Sequence, residues 1–136
     1  MIIHISGSTG APKLVRYANA FLGYFDNCSR LPSADGREAV TVVLVADGVC
    51  YVGFPLFHSG GVAVGCAGVF AGNMVVLEPA EAPMGPGAAL QMMQKIEVNA
   101  ITMVPFMIET LCREYPKEFL EASKNLRFAV CGLGWR

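Results

Sequence analysis

At 136 residues the chain is one domain at most, long enough to bury a sizeable core. Yet 54% of its residues are hydrophobic and only 15% charged, where a free-standing soluble domain carries about 25% charge. That balance fits a membrane-associated chain or part of a larger assembly, and a net charge of −1 with no basic run argues against a nucleic-acid footprint.

Met1 to Ile5 is a short apolar run that reads as a buried strand entering the polar loop Ser6 to Lys13, SGSTGAPK. Leu14 to Tyr17 reads as the returning strand. Asn19 is placed to cap an aromatic helix, AFLGYFDNCSRL, that ends before Pro32. Ser33 to Glu38 is a polar loop, and Ala39 to Ala46, AVTVVLVA, is β-branched and short, a buried strand or a helix–strand ambiguity. Cys50 to Phe54 reads as a strand, Pro55 to Gly61 as a loop, Val62 to Phe70 as a small-residue helix and Asn73 to Leu77 as a buried strand. No charge occurs between Asp47 and Glu78, a run long enough to span a bilayer. Pro55, the Gly60-Gly61 pair and His58 argue against a lipid-exposed helix there, so no transmembrane segment is expected. MIIHIS lacks the basic region and apolar core of a signal peptide.

The second half alternates. PAEAPMGPGAA is a surface connection, followed by a helix over Ala88 to Ile96 with Leu90, Met93 and Ile96 on one side. A strand over Ala100 to Val104 comes next. Pro105 then sits where a helix tolerates proline, in the first turn, and the apolar period Met107, Ile108, Leu111 carries a helix to Glu114. A short amphipathic helix, Lys117 to Ser123, precedes a strand over Leu126 to Cys131. The alternation predicts an α/β fold with a largely parallel sheet flanked by helices. Met92, Met93, Met103 and Met107 read as core filler. The five cysteines, at 28, 50, 66, 112 and 131, have no metal-knuckle spacing and read as buried free thiols of a reducing, cytoplasmic compartment.

SGSTGAPK is neither a P-loop, since the lysine comes too early and Leu14 stands where Ser or Thr should hold magnesium, nor a G-x-G-x-x-G fingerprint. The chemistry of phosphate cradling is nonetheless present, with glycines that let backbone N–H groups converge, three hydroxyls and Lys13. A plain glycine-rich turn with a surface lysine is the equal alternative on composition alone.

SGSTGAPK resembles the phosphate-loop signature of the adenylate-forming (AMP-binding) enzyme superfamily, S/T-S-G-S/T-T-G-x-P-K. That superfamily includes acyl-CoA synthetases, luciferases, and the adenylation domains of nonribosomal peptide synthetases and related reductases. Ser6 to Gly10 and Pro12 to Lys13 match, while Ile5 stands where Ser or Thr is common. FPLFHSGGV, Phe54 to Val62, resembles the next motif, P-x-F-H-x-x-G, at about the family's separation. AITMVPFMIETL and LRFAVCGLG resemble later segments, the second leading to a substrate-pocket turn at Gly132-Leu133-Gly134.

The resemblance implies a partial adenylation-domain N-terminal core, residues 1–136, with both ends truncated. It implies that Ser6, Gly7, Ser8, Thr9, Gly10 and Lys13 wrap the outer phosphates of ATP. His58 would lie beside the carboxylate of the acid substrate, Phe57, Gly60 and Gly61 would shape the pocket wall and Gly132 its floor. The cofactors implied are ATP and Mg2+, with CoA or a carrier-protein phosphopantetheine thiol as alternative acceptors. The family's Y-G-x-T-E and Tyr-x-x-Gly-Asp motifs and its lid lysine do not occur in this sequence, so Mg2+ ligands are not expected on this chain. The function expected is ATP-dependent activation of a carboxylic acid within a larger enzyme, the isolated chain being inactive. The alternatives are a non-catalytic truncated remnant and an unrelated phosphate-binding α/β module. Ser6 to Lys13 is expected as an exposed connection between two strands, with His58 on a loop at the sheet's edge on the same side.

Overall fold

The computed structural model describes residues 1–7, 10–28, 30–32, 34–36, 48–78 and 84–132. The expected strand at Ala39 to Ala46 lies outside them. The chain forms two compact units, one of residues 1–47 and 55–73, the other of residues 48–54 and 74–136.

In the first unit, β1 (Ile2–Gly7) pairs antiparallel with β2 (Gly10–Arg16). The pair is closed at its open end by reciprocal bonds, Tyr17 N to Met1 O at 2.9 Å and the N-terminal amine to Tyr17 O at 3.1 Å. Helix α1 (Ala20–Cys28) begins immediately after Asn19, as expected, and places Phe21 and Phe25 one turn apart. Tyr17, Phe21 and Phe25 stack in series, with centroids 3.9 and 4.9 Å apart. Helix α2 (Ser59–Phe70) packs against α1 and β1. It starts three residues earlier than the sequence predicts, so Ser59, Gly60 and Gly61 are its first turn and not a loop. It ends in a Schellman turn: Gly72, at φ 78°, donates to Val69 O, and Asn73 donates to Gly68 O. Only a glycine takes that left-handed position without strain.

In the second unit, β3 (Val49–Gly53), β4 (Met74–Leu77), β5 (Ala100–Met103) and β6 (Phe128–Cys131) form one parallel sheet in the order β4-β3-β5-β6. Helix α3 (Pro86–Lys95) connects β4 to β5, and α4 (Pro105–Glu114) with α5 (Pro116–Ala122) connects β5 to β6. Both crossovers step the same way along the sheet, and the right-handed rule then puts all three helices on one face. The core is that face: Tyr51, Val76, Ile101 and Met103 of the sheet against Ala89, Leu90, Met93, Met107 and Leu111 of the helices. The four methionines pack as expected, with Met93, Met103 and Met107 buried and Met92 partly so.

Asn99 fastens the start of three strands. Its side-chain oxygen accepts from Val49 N at 2.9 Å, its amide donates to Val49 O at 2.8 Å, and its carbonyl accepts from Arg127 N at 2.8 Å. Two expectations are corrected. β4 is an edge strand in which only Val76 is buried, because it has a neighbour on one side alone. Cys112 and Cys131 are exposed rather than buried, Cys112 on the outer side of α4 and Cys131 on the other edge strand. Helix α3 also opens two residues earlier than expected, so Pro86 and Gly87 belong to its first turn and not to the surface connection. No helix among the described residues is long and apolar enough to cross a membrane.

Candidate functional site

The glycine-rich motif is a hairpin end rather than an extended loop. Ser6 and Gly7 close β1, and Gly10 to Lys13 already belong to β2. Gly7 stands opposite Gly10 and Lys13 opposite Ile5, with a register irregularity between Ile5 and Gly7. Only Ser8 and Thr9 connect the strands, and they lie outside the described residues. The expectation of a long connection from Ser6 to Lys13 is therefore corrected. Ile2, Ile3, His4 and Ile5 stand opposite Arg16, Val15, Leu14 and Lys13, and that backbone ladder carries the strands up to the glycines. No helix follows Lys13, which sits exposed in mid-strand, so the motif is not a strand-to-helix P-loop.

His58 is the N-cap of α2. Its backbone is extended, at φ −92° and ψ 145°, and its Nδ1 accepts from Gly60 N at 3.1 Å. Its own amide donates to Pro55 O at 2.9 Å, which turns the chain after Pro55 into the helix. His58 thus sits at a helix entrance and not on a free loop. Gly60 and Gly61 are buried in the first turn, Phe57 is 63% exposed beside them, and Leu56 reaches Gly65 one turn further on. The hairpin and the His58 turn belong to the same compact unit. Gly132 follows β6 in the other unit, where a side chain at its Cβ would meet open space.

Three features at the end of β3 escaped the sequence reading. Tyr51 is fully buried and its hydroxyl donates to Glu78 Oε1, while Glu78 Oε2 is buried with no hydrogen-bond partner. Burial first, then that bond and the carboxylate's charge, hold the Tyr51 phenol far above its usual range. Gly53 is the third feature: a Cβ there would stand 3.1 Å from Met103 Cγ and 3.2 Å from both Thr102 O and Tyr51 Cε1. The one available signal was Glu78 itself, the first charge after a long uncharged run. Beside them, Cys50 is buried and its thiol is pushed up to about 11 by that burial.

An open cleft of about 570 Å3 between α3 and α5 is lined by Met93, Lys95, Val98, Lys117 and Glu121 among others, and none of the motif residues lines it. Among the described residues no group of three or more His, Cys, Asp or Glu side chains could hold a metal ion.

These features define an α/β protein built on a parallel sheet, with a glycine-ended hairpin and a histidine-capped helix in one unit. The sequence pattern of the AMP-binding enzyme family matches residues 1–135, and the chain belongs to that family. It is 28% identical over 134 residues to an adenylate-forming reductase of Aspergillus terreus, covering 98% of this chain and 12% of the reductase. Its fold is similar to ATP-bound MatB from Rhodopseudomonas palustris, with TM-score 0.68 at 16% identity over 97% of this chain and 24% of MatB. It is also similar to a luciferase-like enzyme of the mealworm Zophobas morio, with TM-score 0.56 at 16% identity over 98% of this chain and 33% of that one. Membership in the family removes the reading of an unrelated phosphate-binding module.

Proposed function

We propose that this chain is the phosphate-loop and acyl-site portion of a larger enzyme that activates a carboxylic acid as an acyl-adenylate. The observation that supports it most is the pairing of two motifs on one unit, the glycine-ended hairpin with Lys13 and the capped turn with His58. The chain spans 12% of the reductase and 24% of MatB, which supports a larger whole.

The hairpin fits a triphosphate end. The paired glycines let the backbone approach an anion closely, the Ser and Thr residues add hydroxyls, and exposed Lys13 adds a charge on the adjoining strand. ATP, when bound, supplies the electrophilic α-phosphorus and the pyrophosphate leaving group, and Mg2+ ligands are assigned to parts outside this chain. A carboxylate oxygen forms the new bond to that phosphorus as the bond to the bridging oxygen breaks. In this reading Ser6, Gly7, Ser8, Thr9, Gly10 and Lys13 hold the departing phosphates, where positioning and charge neutralisation are most of the catalysis. His58 binds the carboxylate, with Phe57, Gly60 and Gly61 as pocket wall. The acceptor of the acyl group is a CoA or carrier-protein thiol, and the location is cytoplasmic.

The test is carboxylate-dependent exchange of labelled pyrophosphate into ATP by an intact family member carrying these two motifs. Replacing the lysine equivalent to Lys13 by Ala should slow exchange, and an unchanged rate would refute the assignment. For the 136-residue chain alone, no exchange above a Lys13→Ala control is expected, and clear turnover would refute its dependence on a larger whole.

A further inference from the structure

Two Asp-Gly pairs occur in the sequence, Asp35-Gly36 and Asp47-Gly48, and their glycines are held differently. Gly48 is half-buried, and its carbonyl accepts from Met74 N at 3.0 Å, which ties it to the start of β4. Asp35 and Gly36 instead form an exposed turn, with φ of 53° and 71°. Asp35 is the only non-glycine residue at positive φ among the described residues, and an L side chain there crowds the following carbonyl. Two left-handed residues in succession make the tight turn for which Asp-Gly is a preferred pair. Among the described residues no hydrogen bond or ion pair holds the Asp35 carboxylate. A Cβ on Gly36 would meet nothing within 4 Å, so nothing shields the Asp35–Gly36 peptide from that side.

We propose that Asp35-Gly36 is a site of spontaneous covalent modification, at which aspartate closes to a succinimide and reopens as isoaspartate. The Gly36 nitrogen attacks the side-chain carboxyl carbon of Asp35 and closes a five-membered ring. One carboxyl oxygen leaves as water, taking the amide hydrogen and a proton from solvent. Water then adds to one of the two ring carbonyls. Addition at the side-chain carbonyl restores aspartate. Addition at the main-chain carbonyl breaks the original bond to the Gly36 nitrogen and leaves Gly36 joined through the former side chain. The mass is unchanged, and nothing is oxidised or reduced. With no Cβ, Gly36 removes the steric bar to ring closure that another residue would impose. The product backbone is longer by one methylene, which frees the turn from its left-handed requirement. Asp26 is the contrast: it lies inside α1, is followed by Asn27 and pairs with Arg30 at 3.1 Å, so ring closure there would have to open the helix.

The test keeps the purified chain folded near neutral pH for several weeks and then digests it with trypsin. Residues 31–37, LPSADGR, form one tryptic peptide with one aspartate. It should split into two species of equal mass, the new one resistant to a protease that cuts before aspartate. The peptide of residues 17–30, which carries Asp26, should stay single, and cleavage before Asp47 should be undiminished. The native chain should convert Asp35 as fast as the urea-unfolded chain does.

Two variants identify the chemistry. Asp35→Asn keeps a residue suited to the turn and should convert faster, gaining one mass unit, because the neutral amide is attacked more readily than a carboxylate and ammonia leaves in place of water. Asp35→Glu keeps the charge and should not convert, because its ring would need six members. Protection of Asp35 by folding, equal conversion at Asp26 or Asp47, an unchanged mass in Asp35→Asn, or a second species in Asp35→Glu overturns the proposal.

Discussion

Gly53→Ala isolates what the close packing at the end of β3 is worth. The added methyl would meet three atoms at 3.1–3.2 Å, each in a fully buried residue. One is a backbone oxygen of the neighbouring strand β5, held by the ladder. Another is on the Tyr51 ring, which is anchored through its hydroxyl to Glu78. Only the Met103 side chain is flexible, and it is fully buried in the core. Overpacking of this kind costs about 1–3 kcal/mol, while replacing glycine by alanine recovers about 0.4–1 kcal/mol through the unfolded chain. The net is a destabilisation of about 1–2 kcal/mol, or about 4–8 °C in Tm at this chain length. Gly87→Ala is the control, since Gly87 lies in the first turn of α3 with nothing within 4 Å of its Cβ position. There the same substitution should be neutral or stabilising by up to about 1 kcal/mol. Thermal and urea unfolding followed by far-UV circular dichroism read both. If Gly53→Ala were as stable as the parent, the close approach of Tyr51 and Met103 would be wrong and the argument would fail.

Tyr51→Phe leaves both Glu78 oxygens without a donor and should cost about 1–3 kcal/mol at neutral pH. The fold favours the protonated phenol, so its contribution is complete below the unfolded value of about 10 and is lost as pH rises beyond it; Tyr51→Phe should flatten that alkaline fall in urea midpoint, and an identical fall in both proteins would count against the pair. Iodoacetamide at pH 8 should modify Cys112 and Cys131 readily in the native chain and Cys50 only after unfolding, since burial holds that thiol at about 11; peptide mass spectrometry decides, and early labelling of Cys50 would contradict its burial. His58→Ala should lower stability by about 1 kcal/mol through loss of the α2 cap, with His58→Asn close to the parent; equal losses in the two would mean that the cap contributes nothing.

Much of the second unit was legible in the sequence because its signals are local. A 3.6-residue apolar period marks α3 and α4, Pro105 marks the first turn of α4, and the short apolar runs at Ala100 and Phe128 become β5 and β6. The hairpin was legible as two apolar runs around a glycine-rich stretch, and so were the two motifs that carry the family. Where its strands end was not, since cross-strand pairing up to Gly7 and Gly10 draws Lys13 out of the expected loop. The first turn of α2 was read as loop because Gly60-Gly61 is a poor helix former; the His58 cap and burial of both glycines overrule that propensity. Tertiary structure alone decided that Tyr51 meets Glu78, 27 residues away, that Asn99 binds Val49 across 50 residues, and that Gly53 has no room for a side chain. It likewise decided that Cys112 and Cys131 are exposed. Those outcomes depend on strand order and on which helix covers which face, and a periodic pattern along one segment carries no information about its neighbours in space.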